Sequence, residues 1–201
     1  MKPVRLTARG EATRARIVRA AVDVMTVKGV AATTLDDVRA ASSTSKSQLY
    51  RHYADKEALV QDVIEHQAED LLTAQEEQLR RLDSVSGLER WRDAIIQRNT
   101  LQNRAYGCQL GSLACELSDQ NERARSALAG HFETWRGLIA DGLRRMRDAG
   151  KLRGDADPER LAIGLMGALE GGYLLAQTEG DIKSMRIALD MAIDYIRTLE
   201  V

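Results

Sequence analysis

TRARIVRAAVDVMTVKGVAATTLDDVRAASSTSKSQLYRHYADKEALV, residues 13–60, reads as helical stretches separated by short polar breaks. Ile17, Ala20, Ala21, Val24 and Met25 recur at helical spacing, which predicts a helix over about 8–28 with Gly29 as its stop. Thr34-Leu35-Asp36-Asp37 has the form of a capping box in which Asp37 stands for the usual Glu. It opens a short helix to about residue 41 that turns Leu35, Val38 and Ala41 inward. Ser42-Ser43-Thr44 is a polar break. A third short helix follows over 45–53, with Thr44 or Ser45 as its N-cap, and Asp55 then caps a long fourth helix reaching about residue 82.

Two short helices joined by a three-residue turn, with a longer helix in front, make a three-helix unit. Its inward set is Ile17, Ala21, Val24, Leu35, Val38, Leu49 and Tyr53. The outward face of the third helix carries Ser45, Lys46, Ser47, Gln48, Tyr50, Arg51 and His52. Amides, hydroxyls and cations of this kind reach base edges and phosphates in a major groove about 12 Å wide. The free N–H groups at the start of that helix suit a phosphate. Arg51 reads equally well as a solvated side chain with no contact of its own, and for His52 that reading stands as the lesser alternative.

The charge distribution agrees with a nucleic-acid-facing N-terminus. The chain has 201 residues and a net charge of −1, but residues 1–56 hold eleven Lys or Arg against five Asp or Glu, and residues 57–201 hold eighteen against twenty-five. A basic segment followed by an acidic remainder points to two modules with different partners. With 44% apolar residues, two prolines and few alternating β-branched runs, the chain is expected to be all-α. Arg5, Arg9, Glu11 and Arg14 interrupt any secretory leader. The most apolar stretch, residues 161–176, is short of a membrane span and contains Glu170, so it reads as a buried helix. Cys108 and Cys115 lie seven residues apart, too far along a helix for a disulfide. A cytoplasmic location is expected.

Beyond the fourth helix, periodicity predicts helices over about 87–105, 108–117, 121–149, 158–179 and 182–199. Gly150 ends the third of these, and Asp157-Pro158-Glu159 starts the fourth with a cap, a first-turn proline and an acid at the positive end of the dipole.

Residues 13–60 closely resemble the N-terminal domain of TetR-type transcriptional regulators. The resemblance is carried by the pair Ala20-Ala21, by Gly29, by Thr33-Thr34, by Ser45, Lys46, Leu49, Tyr50 and Tyr53, and by DKEAL from Asp55 to Leu59. It implies an N-terminal helix-turn-helix domain over 1–54 and a helical effector-binding and dimerisation domain over 55–201. It also implies that Thr34 meets a phosphate at the start of the second helix. Lys46, Gln48, Tyr50 and His52 line the groove, with the Tyr50 hydroxyl on the backbone, and Lys56 neutralises a phosphate from the start of the fourth helix. Which of Ser47, Gln48 and Arg51 reads bases is left open. The chain departs from the pattern at Ser43, where the family has glycine, at Arg39, where a small alanine is common, and at Ser47. A serine held in the left-handed region costs about 1 kcal/mol.

The resemblance weakens after about residue 70. GCQLGSLACEL, residues 107–117, looks like an element of one subgroup of these regulators and names no effector. The family's geometry implies a pocket from residue 87 onward, with Trp91, Ile95, Tyr106, Cys108, Leu113, Phe132, Trp135, Met166, Glu170 and Tyr173 as candidate lining residues. Apolar walls with few polar groups suit a small hydrophobic ligand, although aromatic and Met residues at helical spacing also read as ordinary core. Glu170 sits in an apolar helix, where a carboxylate is costly unless paired. It is open to a cationic ligand, to an Arg across a dimer, or to solvent at a kink. No zinc spacing and no nucleophile–base pair stands out. Cys108 and Cys115 are open to oxidant sensing, but nothing nearby in the sequence clearly lowers a thiol pKa, and buried structural cysteine is the favoured reading.

The last two helices are expected to form the dimer interface. Gly164, Gly167, Ala168, Gly171 and Gly172 would allow close approach, and Leu161, Leu165, Leu175, Met185, Leu189 and Ile193 would supply burial. The reading as a whole is a homodimeric repressor of a palindromic double-stranded operator, released by a small hydrophobic effector, with no cofactor and no membrane partner. The alternatives are a ligand-blind regulator or activator and, more remotely, a small-molecule-binding helical enzyme.

Overall fold

The computed structural model describes residues 7–101 and 107–201. Within them lie α1 (Ala8–Ala32), α2 (Leu35–Ala41), α3 (Lys46–His52), α4 (Lys56–Leu79), α5 (Val85–Leu101), α6 (Gln109–Leu117), α7 (Glu122–Asp148), α8 (Pro158–Glu179) and α9 (Lys183–Arg197). The described residues contain no β-strand, only an isolated bridge between Leu152 and Glu200. None of their helices is long and apolar enough to cross a membrane. The chain divides into two compact units. One takes the described residues up to Glu69 together with Leu113–Leu128, and the other takes those of Asp70–Ser112 and Ala129–Val201.

In the first unit, Ile17, Ala21, Met25, Val38, Leu49, Tyr53, Leu59, Val63 and Ile64 form the core, while Val24 and Leu35 are only partly buried. α1 is longer than its periodicity predicts. Gly29, at φ +78°, kinks it, and one more turn follows to Ala32. The capping box at α2 forms as expected: the Thr34 hydroxyl accepts from the Asp37 N–H at 3.1 Å, and the Asp37 carboxylate accepts from the Thr34 N–H at 2.9 Å. Hydrogen bonds from Lys28 and Thr34 hold that carboxyl well below its ordinary range.

The turn between α2 and α3 keeps the left-handed geometry even though serine occupies it. Ser43 has φ +51°. Its N–H reaches the Ala40 carbonyl and the Thr44 N–H reaches the Arg39 carbonyl, both at 3.2 Å, which closes a Schellman motif at the end of α2. A buried contact between the Ser42 and Thr44 hydroxyls at 2.9 Å and a bond from Arg16 Nε to the Ser42 carbonyl at 3.0 Å hold the turn.

In the second unit, α8 and α9 pack as a helical hairpin joined at Gly180, a left-handed C-cap. Asp157 caps α8 through the Glu159 and Arg160 N–H groups, and Pro158 occupies its first turn. Gly172 sits against Met185, and a Cβ there would lie 2.9 Å from the Met185 Cα. Arg145, on α7, donates to the carbonyls of Leu79 and Leu82 at 2.8 and 3.1 Å, which ends α4 at Leu79, short of the expected 82.

The hairpin corrects one expectation. Leu161, Leu165, Met185, Leu189 and Ile193 are buried within a single chain, so they cannot supply burial between two chains. The periodic pattern marks them as apolar but does not say which neighbour covers them. The exposed apolar residues are Ile163, Leu174 and Leu175 on α8 and Ile187, Met191 and Tyr195 on α9. Gly164, Gly167 and Gly171 face open space beside them.

Candidate functional site

α3 is seven residues long, too short to stand alone, and is held from both sides. At its start a second capping box forms: the Ser45 hydroxyl accepts from the Gln48 N–H at 3.2 Å, and the Gln48 side-chain oxygen accepts from the Ser45 N–H at 2.9 Å. On its inner side Leu49 is fully buried and Tyr53 nearly so. The Tyr53 hydroxyl donates to Asp62 on α4 at 2.5 Å, and burial together with that bond pushes the phenol pKa well above its ordinary value.

With the inner side anchored, the opposite side faces solvent. Ser45, Lys46, Ser47, Tyr50 and Arg51 are exposed, and Tyr50 keeps 48% of its surface. Lys46 places its ammonium 5.9 Å from the centre of the Tyr50 ring, one turn along the helix. The structure therefore brings Ser45, Lys46, Ser47, Tyr50 and Arg51 onto one accessible face. Gln48 stands at its edge, with its oxygen committed to the cap. Thr34 is exposed at the start of α2, its hydroxyl engaged with Asp37.

Two expected residues are placed differently. His52 is partly buried. Its Nε2 is enclosed with no partner among the described residues, and burial, then Arg51 and Arg14, lower its pKa. Lys56 donates to the carbonyls of Val30, Ala31 and Thr33 at 3.0, 3.2 and 3.1 Å. Its ammonium closes a turn of the protein's own backbone. A cation three residues past Tyr53 cannot be assigned to a phosphate or to a carbonyl from local sequence alone.

The candidate effector residues divide. Tyr106 lies outside the described residues. Leu113 is buried in the first unit. In the second unit the Asn99 amide donates to the Ile95 carbonyl at 2.7 Å and to the Tyr173 hydroxyl at 3.4 Å, and burial raises the Tyr173 phenol to about 12. Burial raises Glu170 to about 6, opposed by a hydrogen bond from the Cys108 thiol, and one of its carboxylate oxygens is enclosed without a partner among the described residues. Gly111 makes room for this carboxylate, since a Cβ there would lie 2.6 Å from it. The Cys108 thiol is pushed far up by burial and by Glu170, so it is not a ready nucleophile. Met166 is buried. Trp91 is spent on the core, its indole N–H donating to buried Gln75 at 2.7 Å, and Phe132 stacks on fully buried Trp135 at 6.4 Å. Sequence reasoning missed Asn99 and Asp62, because the partners that give them a role are 74 and 9 residues away.

A three-helix head whose last short helix offers an exposed polar and cationic face, joined to further helices, defines a helix-turn-helix DNA-binding regulator. Residues 17–63 match the family model described as bacterial regulatory proteins, tetR family, and residues 79–192 match the tetracyclin repressor-like C-terminal domain. The chain belongs to the TetR family of transcriptional regulators, and it is not an enzyme. It is 30% identical to the transcriptional regulator AcuR of Cereibacter sphaeroides over 81% of this chain and 75% of that one. It is 27% identical to the HTH-type transcriptional repressor DhaR of Mycobacterium sp. (strain GP1) over 83% of each. The fold is shared with the crystal structure of a regulatory protein TetR from Rhodobacter sphaeroides, at a TM-score of 0.81 and 22% identity over 93% of this chain and 98% of that one.

Proposed function

We propose that this regulator is a homodimeric repressor that sets two copies of α3 into successive major-groove faces of a palindromic operator and is released by a small, largely apolar effector. The observation that carries the DNA half is the exposed face of Lys46, Ser47, Tyr50 and Arg51, backed by buried Leu49. Lys46 and Arg51 meet phosphate or guanine, Ser47 and Gln48 meet base edges, and Tyr50 gives its hydroxyl to the backbone. Thr34 and the N–H groups at the start of α3 hold neighbouring phosphates, and His52 stands at the margin. Lys56 serves the backbone next to Thr34 before it serves DNA. Residues 1–54 are the reading head, and residues 55–201 sense and dimerise.

Dimerisation through α8 and α9 is supported by their exposed stripe. Ile163, Gly167, Gly171 and Leu174 recur at helical spacing on one helix, and Ile187, Met191 and Tyr195 on the other. An isologous pairing of these faces gives a two-fold dimer, and a palindromic operator read in successive major grooves requires its two reading heads to stand about one DNA turn, roughly 34 Å, apart. The effector site is the polar group of Glu170, Cys108, Asn99 and Tyr173 with Ile95 and Met166 around it. The effector lowers DNA affinity to the extent that it prefers the non-binding state.

The test is footprinting on the DNA upstream of the protein's own gene, with a salt titration of the wild type and Lys46→Ala. Sequence-specific protection is expected, with the slope of log K against log salt falling by about 1 in the variant. No protection at low salt overturns the DNA half. An unchanged slope removes Lys46 from the phosphate contacts. Thermal-shift screening separates an effector-responsive protein from a ligand-blind one.

A further inference from the structure

The junction between α1 and α2 is built by side chains from outside the three-helix head. At Gly29 the backbone takes φ +78° and breaks the ladder of α1. The N–H of Val30 then donates to Glu116 Oε2 at 2.7 Å, and the N–H of Ala31 donates to the same oxygen at 3.4 Å. Glu116 is the penultimate residue of α6 and lies 86 residues further along the chain. The carbonyls of the same segment, on Val30, Ala31 and Thr33, are taken by the ammonium of Lys56 at the start of α4. Side chains of opposite charge thus hold the donors and the acceptors of one turn. The Thr33 hydroxyl closes onto the Gly29 carbonyl at 2.7 Å.

Position 29 admits the carboxylate. A Cβ built on Gly29 would lie 3.2 Å from Glu116 Oε2, closer than ordinary contact, so glycine serves both the positive φ and the approach of the carboxylate. The turn ends at Thr33, which is buried, and Thr34 follows as the N-cap of α2. The position of this turn therefore sets where α2 begins, and through the Ser42–Thr44 turn it sets how α3 is presented.

We infer that Glu116 is a positioning residue for DNA binding: its carboxylate clamps the Val30 and Ala31 N–H groups and so makes the aim of the reading head depend on where the last turn of α6 stands. Charged acceptors make stronger and more directional bonds to peptide N–H groups than neutral ones do. Withdrawing this one leaves two backbone donors without their partner. The inference rests on the chain being a DNA-binding regulator and is independent of what the effector is.

The experiment uses the full-length protein and the duplex that the wild type enriches from a randomised library, at a temperature where circular dichroism shows each variant folded. Glu116→Ala is expected to weaken binding about tenfold and to speed hydrogen exchange at the Val30 and Ala31 amides by tenfold or more, with exchange in α8 and α9 unchanged. Glu116→Gln keeps an acceptor at the same reach and should restore at least half of the loss on a logarithmic scale. Glu116→Asp keeps the charge but is one methylene short, and should behave like alanine. A merely stabilising side chain would lower the melting temperature and leave the affinity of the folded protein unchanged. Affinity within twofold of wild type in the alanine and aspartate variants overturns the inference, and so does unaltered exchange at Val30 and Ala31. Should the alanine variant fail to fold, the aspartate and glutamine pair decides.

Discussion

The Tyr53 hydroxyl and one Asp62 carboxylate oxygen stand 2.5 Å apart, and Arg14 grips the same carboxylate with Nε at 2.8 Å and Nη2 at 2.7 Å. The bond joins the residue that ends α3 to the second turn of α4, and the guanidinium brings in α1. Three elements thus meet at one carboxylate.

Removing the hydroxyl alone, in Tyr53→Phe, leaves Asp62 paired with Arg14. It should cost about 1 kcal/mol, the net value of one hydrogen bond. Asp62→Ala leaves both the phenol and the guanidinium without their acceptor and should cost about 2–3 kcal/mol, because a buried donor then loses its partner. Urea unfolding of both variants checks the ranking. Equal costs would mean that the Tyr53 bond carries the contact and that the Arg14 pairing adds nothing to it.

Ser43 is held at φ +51°, where a side chain crowds the backbone. Ser43→Gly removes that crowding and leaves the backbone bonds of the Schellman turn in place. The expected gain is about 1 kcal/mol, read as a melting temperature higher by about 2–4 °C. A loss of stability would show that the serine hydroxyl holds the turn.

Two glycines of α7 should respond in opposite directions to the same substitution. A Cβ at Gly142 would lie 2.4 Å from Leu82 Cδ2 and 2.9 Å from its Cβ, whereas Gly137 has nothing within 4 Å. Gly142→Ala is expected to destabilise by about 1–3 kcal/mol through overpacking. Gly137→Ala is expected to stabilise by about 0.5–1 kcal/mol, since alanine loses less backbone freedom in a helix. Paired thermal melts give the sign directly.

Burial raises the Glu170 carboxyl from 4.5 to about 6, with the Cys108 thiol pulling the other way. A carboxyl whose pKa is higher in the folded state binds its proton more tightly there. Its favourable contribution is therefore full below about 4.5 and is lost as pH rises through about 6. The shift corresponds to about 2 kcal/mol. Relative to Glu170→Gln, the wild type should lose about that much stability between pH 4 and 7.5, measured by urea unfolding at both pH values. A flat difference would show that Glu170 is paired in the folded protein.

Local chemistry was legible in the sequence. Thr34 with Asp37 announced the start of α2, Asp157 with Pro158 that of α8, and both form as read, because a cap is decided by residues two or three apart. The polar face of α3 was legible for the same reason: Leu49 and Tyr53, four residues apart, fix which side of one short helix is buried, and Lys46, Tyr50 and Arg51 take the other.

Long-range contacts were not legible. Periodicity gave Leu161, Leu165, Met185, Leu189 and Ile193 an apolar face, yet only folding showed that α8 and α9 cover these residues for each other and leave Ile163, Met191 and Tyr195 outside. The resemblance gave Lys56 to a phosphate, whereas its ammonium reaches three carbonyls of the α1–α2 junction, and nothing in the sequence singled out Glu116, whose backbone partner Val30 lies 86 residues away. The sequence by itself determined the helices, their caps and the family, because those depend on neighbours within a turn or two. The tertiary structure alone decided which charges stay exposed on α3 and which hold the backbone, because that depends on groups brought together from as much as 86 residues away.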